Sequence, residues 1–194
     1  MIIVVANVKG GSAKPPPRCY LAAVAAEGEG PVVLVDADPQ ASAEWLEEQP
    51  IEGVTLAEAP SERMIVRALD LGAGTTVIVD TPPGAERLVR AAVGGADATV
   101  IPTKAGALEV SRVRATMSMV LAGTPTGLVF TAARRRTRDY LDSVTAWAES
   151  GVAVWGSVAE RVAVAAGSDG PLAPEALDAY RQVLAAVSGA VSTR

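Results

Sequence analysis

Two lysines enclose a glycine pair near the start of the chain, in Lys9-Gly10-Gly11-Ser12-Ala13-Lys14. Two short apolar runs further on end in acid, in Val35-Asp36-Ala37-Asp38-Pro39-Gln40 and Val77-Ile78-Val79-Asp80-Thr81-Pro82-Pro83. These residue types suit a magnesium–polyphosphate site. Loop amides and lysine ammonium groups hold phosphate oxygens, while carboxylates hold the metal directly or through its waters. Any one acid at a strand end is as well explained as a helix cap. The set, in this order and spacing, is more specific.

Such a site needs elements that deliver all three segments to one place. Residues 2–6, 32–36, 76–80, 98–101 and 127–131 are short β-branched runs bounded by turn residues, the pattern of strands buried on both faces. Further strand positions fall at Leu56–Pro60 and Val152–Trp155. Between them the spacing predicts helices over about 18–27, 42–48, 61–71, 85–94, 107–122 and 137–149, and a last one from Pro174 to about Val187. Alternation of this kind predicts an α/β fold, a mostly parallel twisted sheet with helices on both faces, in one domain over residues 1–194. In such sheets ligands sit beyond the carboxyl ends of the strands, where the lysine loop and both acids fall.

Composition removes several alternatives. The 194 residues are 49% hydrophobic and 20% charged, enough to bury a core, with only 4% aromatic. There is no histidine, which excludes Ser-His-Asp and Cys-His catalysis, and the single Cys19 excludes a disulfide framework or a cysteine-ligated cluster within one chain. No apolar run reaches the roughly 20 residues that span a bilayer, and the opening Met1–Ala6 lacks a basic segment before it, so a cytoplasmic protein is expected. The net charge is −5, yet no acid lies between Glu109 and Asp139, a window that holds Arg112, Arg114, Arg134, Arg135, Arg136 and Arg138. That window carries +6 and reads either as an anion-binding face or as solvated helix surface.

The three segments together resemble the deviant Walker A ATPases of the ParA/MinD superfamily. Lys9 to Lys14 is similar to the loop K-G-G-x-G-K-[ST], Asp36 to Gln40 to the D-x-D-P-Q switch of the partition branch, and Val77 to Pro83 to its Walker B strand. The likeness extends over nearly the whole chain, which starts on its first strand as the small members do. It implies a P-loop NTPase-like fold, ATP and Mg2+ as ligands, and hydrolysis of ATP to ADP and phosphate. An ATP-dependent homodimer, non-specific DNA binding and a cognate adaptor protein that stimulates hydrolysis are implied as well. So is a cytoplasmic, nucleoid-associated role in segregating plasmids or chromosomes or in positioning cargo. Membrane association of the MinD kind is not expected, because the end of the chain from Ala185 to Arg194 has one basic residue and no large apolar face.

Residue by residue, the resemblance gives Lys14 the β- and γ-phosphates and sends Lys9 across the dimer to the partner's nucleotide. Asp38 would orient the attacking water, and Asp36 and Asp80 would support magnesium through its water shell. Gly10, Gly11, Ser12, Ala13, Lys14, Pro15 and Pro16 line the nucleotide loop, Gln40 contacts the switch or the partner, and the six arginines face DNA.

The departures fall in the same loop. The family has Gly where this chain has Ala13, and a magnesium-binding Ser or Thr where it has Pro15. Pro15, Pro16 and Pro17 also remove three backbone N–H groups that would point at phosphates, and they should delay the first helix by about a turn. This supports an alternative, a non-catalytic relative with a degenerate nucleotide site that acts as a binding module. The stretch from Ala13 to Cys19 also reads as the family's Gly-Lys-Thr-Thr-Thr-Ala-Val in a shifted frame. In one possible coding, one base deleted from its first codon and one inserted in its last reproduce all seven residues, in a chain whose 14 arginines to 3 lysines suggest GC-rich coding.

Overall fold

The computed structural model describes residues 1–6, 17–38, 50–160 and 172–193. In chain order the elements are β1 (Ile2–Val5), α1 (Pro17–Ala25), β2 (Val32–Asp36), β3 (Val54–Glu58), α2 (Glu62–Leu69), β4 (Thr76–Asp80) and α3 (Glu86–Val93). They continue as β5 (Ala98–Thr103), α4 (Ala107–Met117), β6 (Thr126–Ala133), α5 (Arg138–Glu149), β7 (Ala153–Ala159) and α6 (Pro174–Ser192). The seven strands form one sheet in the order β3-β2-β4-β1-β5-β6-β7, and every pairing is parallel. Strand order reverses on the two sides of β1, the position at which open parallel sheets generally take ligands.

The β-branched runs form strands because both of their faces are covered. Ile3, Val5, Leu34, Ile78, Val100 and Val129 point to one side, beneath α1 and α6. Their neighbours Val4, Val35, Val77 and Val79 point to the other, beneath α2 and α3, and Leu128 and Phe130 lie beneath α4 and α5. On the first side Tyr20 of α1 stacks on Tyr180 of α6, with ring centroids 5.2 Å apart and planes 5° from parallel. The hydroxyl of Tyr20 accepts the backbone N–H of Ala173 at 3.3 Å.

Several expectations shift at their edges. The first helix opens on Pro17, as a proline that needs no N–H partner can. The helix expected to reach 122 stops at Met117, since Met119 N and Val120 N bond carbonyls three residues back and tighten the chain out of the α-helix. The last helix runs on to Ser192, because Val187 and Val191 still find the core. Strand β7 extends to Ala159, past the predicted Trp155, with register shifts against β6. The helix expected at 42–48 lies outside the described residues.

Candidate functional site

Strands β2 and β4 are neighbours, and their register sets Asp36 opposite Asp80 at the carboxyl ends of both. Asp80 is also opposite Val5, the last residue of β1. The chain beyond β1 is held in line by Ala6 N–H donating to Val100 O at 3.0 Å, and Thr81 N–H donates to Val5 O at 3.2 Å. The two acids therefore stand beside the strand from which the lysine loop departs. Spacing along the sequence placed them there, because each β-branched run ends on its acid.

Asp36 is 3% exposed. Its Oδ1 accepts the backbone N–H of Asp38 at 2.9 Å, a local turn that fixes the direction of the chain after β2. Its Oδ2 is buried and has no hydrogen-bond partner. Asp80 is engaged differently. The Arg18 guanidinium, on the first turn of α1, donates from Nη1 to Asp80 Oδ2 in an ion pair almost closed to water. Burial disfavours the Arg18 charge, but Asp80, Cys19 and Asp36 outweigh it and hold the guanidinium above its ordinary value. Burial pushes the Asp80 carboxyl up to about 7, against the pull of Arg18. Next to Arg18, burial also pushes the Cys19 thiol up to about 12.

The described residues do not fit magnesium as they stand. Magnesium asks for a near-octahedral shell of oxygens. Here Asp80 is taken by a cationic side chain, Asp36 offers a single unpartnered oxygen, and position 15 is a proline without a hydroxyl. Among the described residues no three His, Cys, Asp or Glu side chains group as a metal site.

The remaining predicted residues divide into two groups. Lys9, Gly10, Gly11, Ser12, Ala13, Lys14, Pro15, Pro16 and Gln40 lie outside the described residues. The six arginines lie within them and do not make one uniform face. Arg112 and Arg114 are two positions apart on α4, about 200° around the helix. Arg134, Arg135 and Arg136 follow the end of β6, and Arg138 opens α5, so these four gather at the carboxyl edge of the sheet. Three of the six already meet acids: Arg112 with Glu109 at 2.5 Å, Arg134 with Glu160, and Arg138 with Asp142 at 3.6 Å. Glu160 holds the Arg134 guanidinium above its ordinary value, while Arg134 lowers the Glu160 carboxyl. Arg135 donates to the backbone carbonyl of Ser157.

Arg18 is the residue that sequence reasoning passed over. Its signal was available: a helix opening on Pro17 carries position 18 on its first turn, beside the strand ends where the acids collect.

The sequence matches the CobQ/CobB/MinD/ParA nucleotide binding domain over residues 3–172. It is 38% identical over 113 residues to maintenance of carboxysome distribution protein A of Gloeobacter kilaueensis, covering 57% of this chain and 52% of that protein. It is 32% identical over 115 residues to protein ParA of Rhizobium radiobacter, covering 57% of this chain and 51% of that protein. The chain thus spans about half the length of the curated relatives it matches. Its fold is similar to that of the septum site-determining protein MinD of Pyrococcus horikoshii, solved with Mg-ADP, at a TM-score of 0.71 and 14% identity over 96% of this chain and 95% of that one.

Proposed function

The chain belongs to the CobQ/CobB/MinD/ParA nucleotide-binding domain family, and from that premise we propose that it is a ParA-type partition or positioning protein. It takes a nucleoside triphosphate at the carboxyl ends of β1, β2 and β4. One observation carries this reading: Asp36 and Asp80 are ladder partners beside β1, from which the Lys9–Lys14 loop departs. In this reading Lys14 holds the β- and γ-phosphates, and Lys9 reaches the nucleotide of a second copy. Asp38, two residues past β2, directs a water towards the terminal phosphate. Nucleotide binding then controls association with a second copy, with DNA through Arg134, Arg135, Arg136 and Arg138, and with an adaptor protein.

Sedimentation of the purified chain with and without a non-hydrolysable ATP analogue tests this. Conversion from monomer to dimer supports the reading. An unchanged monomer at tens of micromolar protein overturns the dimer, since a nucleotide-controlled switch must work near that range.

A second reading, a binding module that has lost hydrolysis, is favoured by the Arg18–Asp80 ion pair together with Pro15. Dimerisation with ATP but no phosphate release would select it.

A further inference from the structure

Arg18 is set beside the two acids that the sequence reading gave to magnesium, and it is fixed there. Its neighbours Cys19 and Tyr20 are 1% exposed and Leu21 is wholly buried, so the turn that carries it is anchored in the core. Its guanidinium meets Asp80 directly and acts on Asp36, the opposite member of the ladder. A guanidinium cannot release its proton in a protein, so this charge is permanent. A divalent metal brought to Asp36 and Asp80 would have to displace it or sit beside it. The donor set offers little in return, because Asp80 is held by Arg18, Asp36 presents one buried oxygen without a hydrogen bond, and Pro15 supplies no oxygen from its side chain.

We propose that Arg18 is the resident cation of the Asp36–Asp80 pair, a tethered guanidinium in the place of a divalent metal, and that the pair binds no such metal while Arg18 is present. The location comes from the strand ends alone, so the proposal stands or falls separately from nucleotide binding.

The test uses manganese alone as the probe, followed by the loss of its free electron-paramagnetic-resonance signal on adding the full chain. The unaltered chain is expected to leave that signal untouched. Arg18→Ala is expected to take up one manganese ion per chain, and Arg18→Ala with Asp80→Asn to lose it again. Arg18→Met keeps an apolar stem in the core and replaces Arg18→Ala if the latter does not fold, which circular dichroism reports. One manganese bound by the unaltered chain, or none bound by a folded Arg18 variant, overturns the proposal.

Discussion

Arg18 and Asp80, 62 residues apart in the sequence, form a nearly buried ion pair between the first turn of α1 and the end of β4. The pair joins the helix that follows the lysine loop to the central strands. Removing either partner takes from the other the charge it is buried against. We expect Arg18→Met or Asp80→Asn alone to lower the unfolding free energy by about 3–5 kcal/mol, and the two together to cost much less than their sum. Urea unfolding of the four proteins measures this. Additive losses would show that the two side chains do not act as a pair.

The thiol beside Arg18 gives a pH prediction. Burial holds Cys19 protonated up to about 12, against an ordinary value of 9.0. The unfolded chain therefore loses this proton first as pH rises, so stability falls between pH 9 and about 12. Burial also raises Tyr180 and Tyr20, which adds to the loss above pH 10. Each such group contributes a slope of about 1.4 kcal/mol per pH unit while it is ionised only in the unfolded state. Thermal unfolding against pH reads the fall. A flat profile from pH 8 to 11 would contradict it, as would rapid modification of Cys19 by a thiol reagent in the native protein at pH 8.

At the far edge of the sheet, Gly127 is tied to Trp155. A Cβ at Gly127 would come within 2.2 Å of the indole ring, which lies across it where β6 and β7 slip register. Gly127→Ala is expected to push the ring outward and destabilise the protein by about 1–3 kcal/mol, with a red shift in tryptophan emission. An unchanged melting temperature and spectrum would contradict this contact.

For the arginine cluster, existing ion pairs rank the residues. Glu160 already meets the charge of Arg134, while Arg136 is exposed and has no ion pair among the described residues. If DNA is bound there, Arg136→Ala weakens binding more than Arg134→Ala does, to all sequences alike and with a shallower salt dependence. Filter binding across a salt series measures both. A sequence-dependent loss, or an equal one, contradicts the assignment.

Legibility differed by kind of feature. The central strands could be read because a run buried on both faces needs only its own β-branched residues, and Asp36 and Asp80 followed from where those runs end. The helix limits could not, since Met117 and Ser192 are fixed by tight turns and by Val187 and Val191 meeting the core. Nor could the pairings of the arginines. Glu160 comes from the end of β7, 26 residues beyond Arg134, and Glu109 lies just outside the basic window. The Arg18 pair could be read only by half: Pro17 sets Arg18 on a first helical turn near the strand ends, but a partner 62 residues away leaves no local pattern.

The stretch Ala13–Cys19 carries its own check. The fold takes Pro17 at a helix start, gives Arg18 a carboxylate and seals Cys19 in the core. Peptide mapping by mass decides whether Arg18 and Cys19 are present. A peptide with Gly-Lys-Thr-Thr-Thr-Ala-Val would instead restore a hydroxyl at position 15 and abolish the resident cation.

The function proposed for this chain depends on ATP binding at the carboxyl ends of β1, β2 and β4, and calorimetric titration of the purified chain with ATP measures that binding. The titration is expected to saturate at one ATP per chain. No saturable heat at tens of micromolar protein would contradict it.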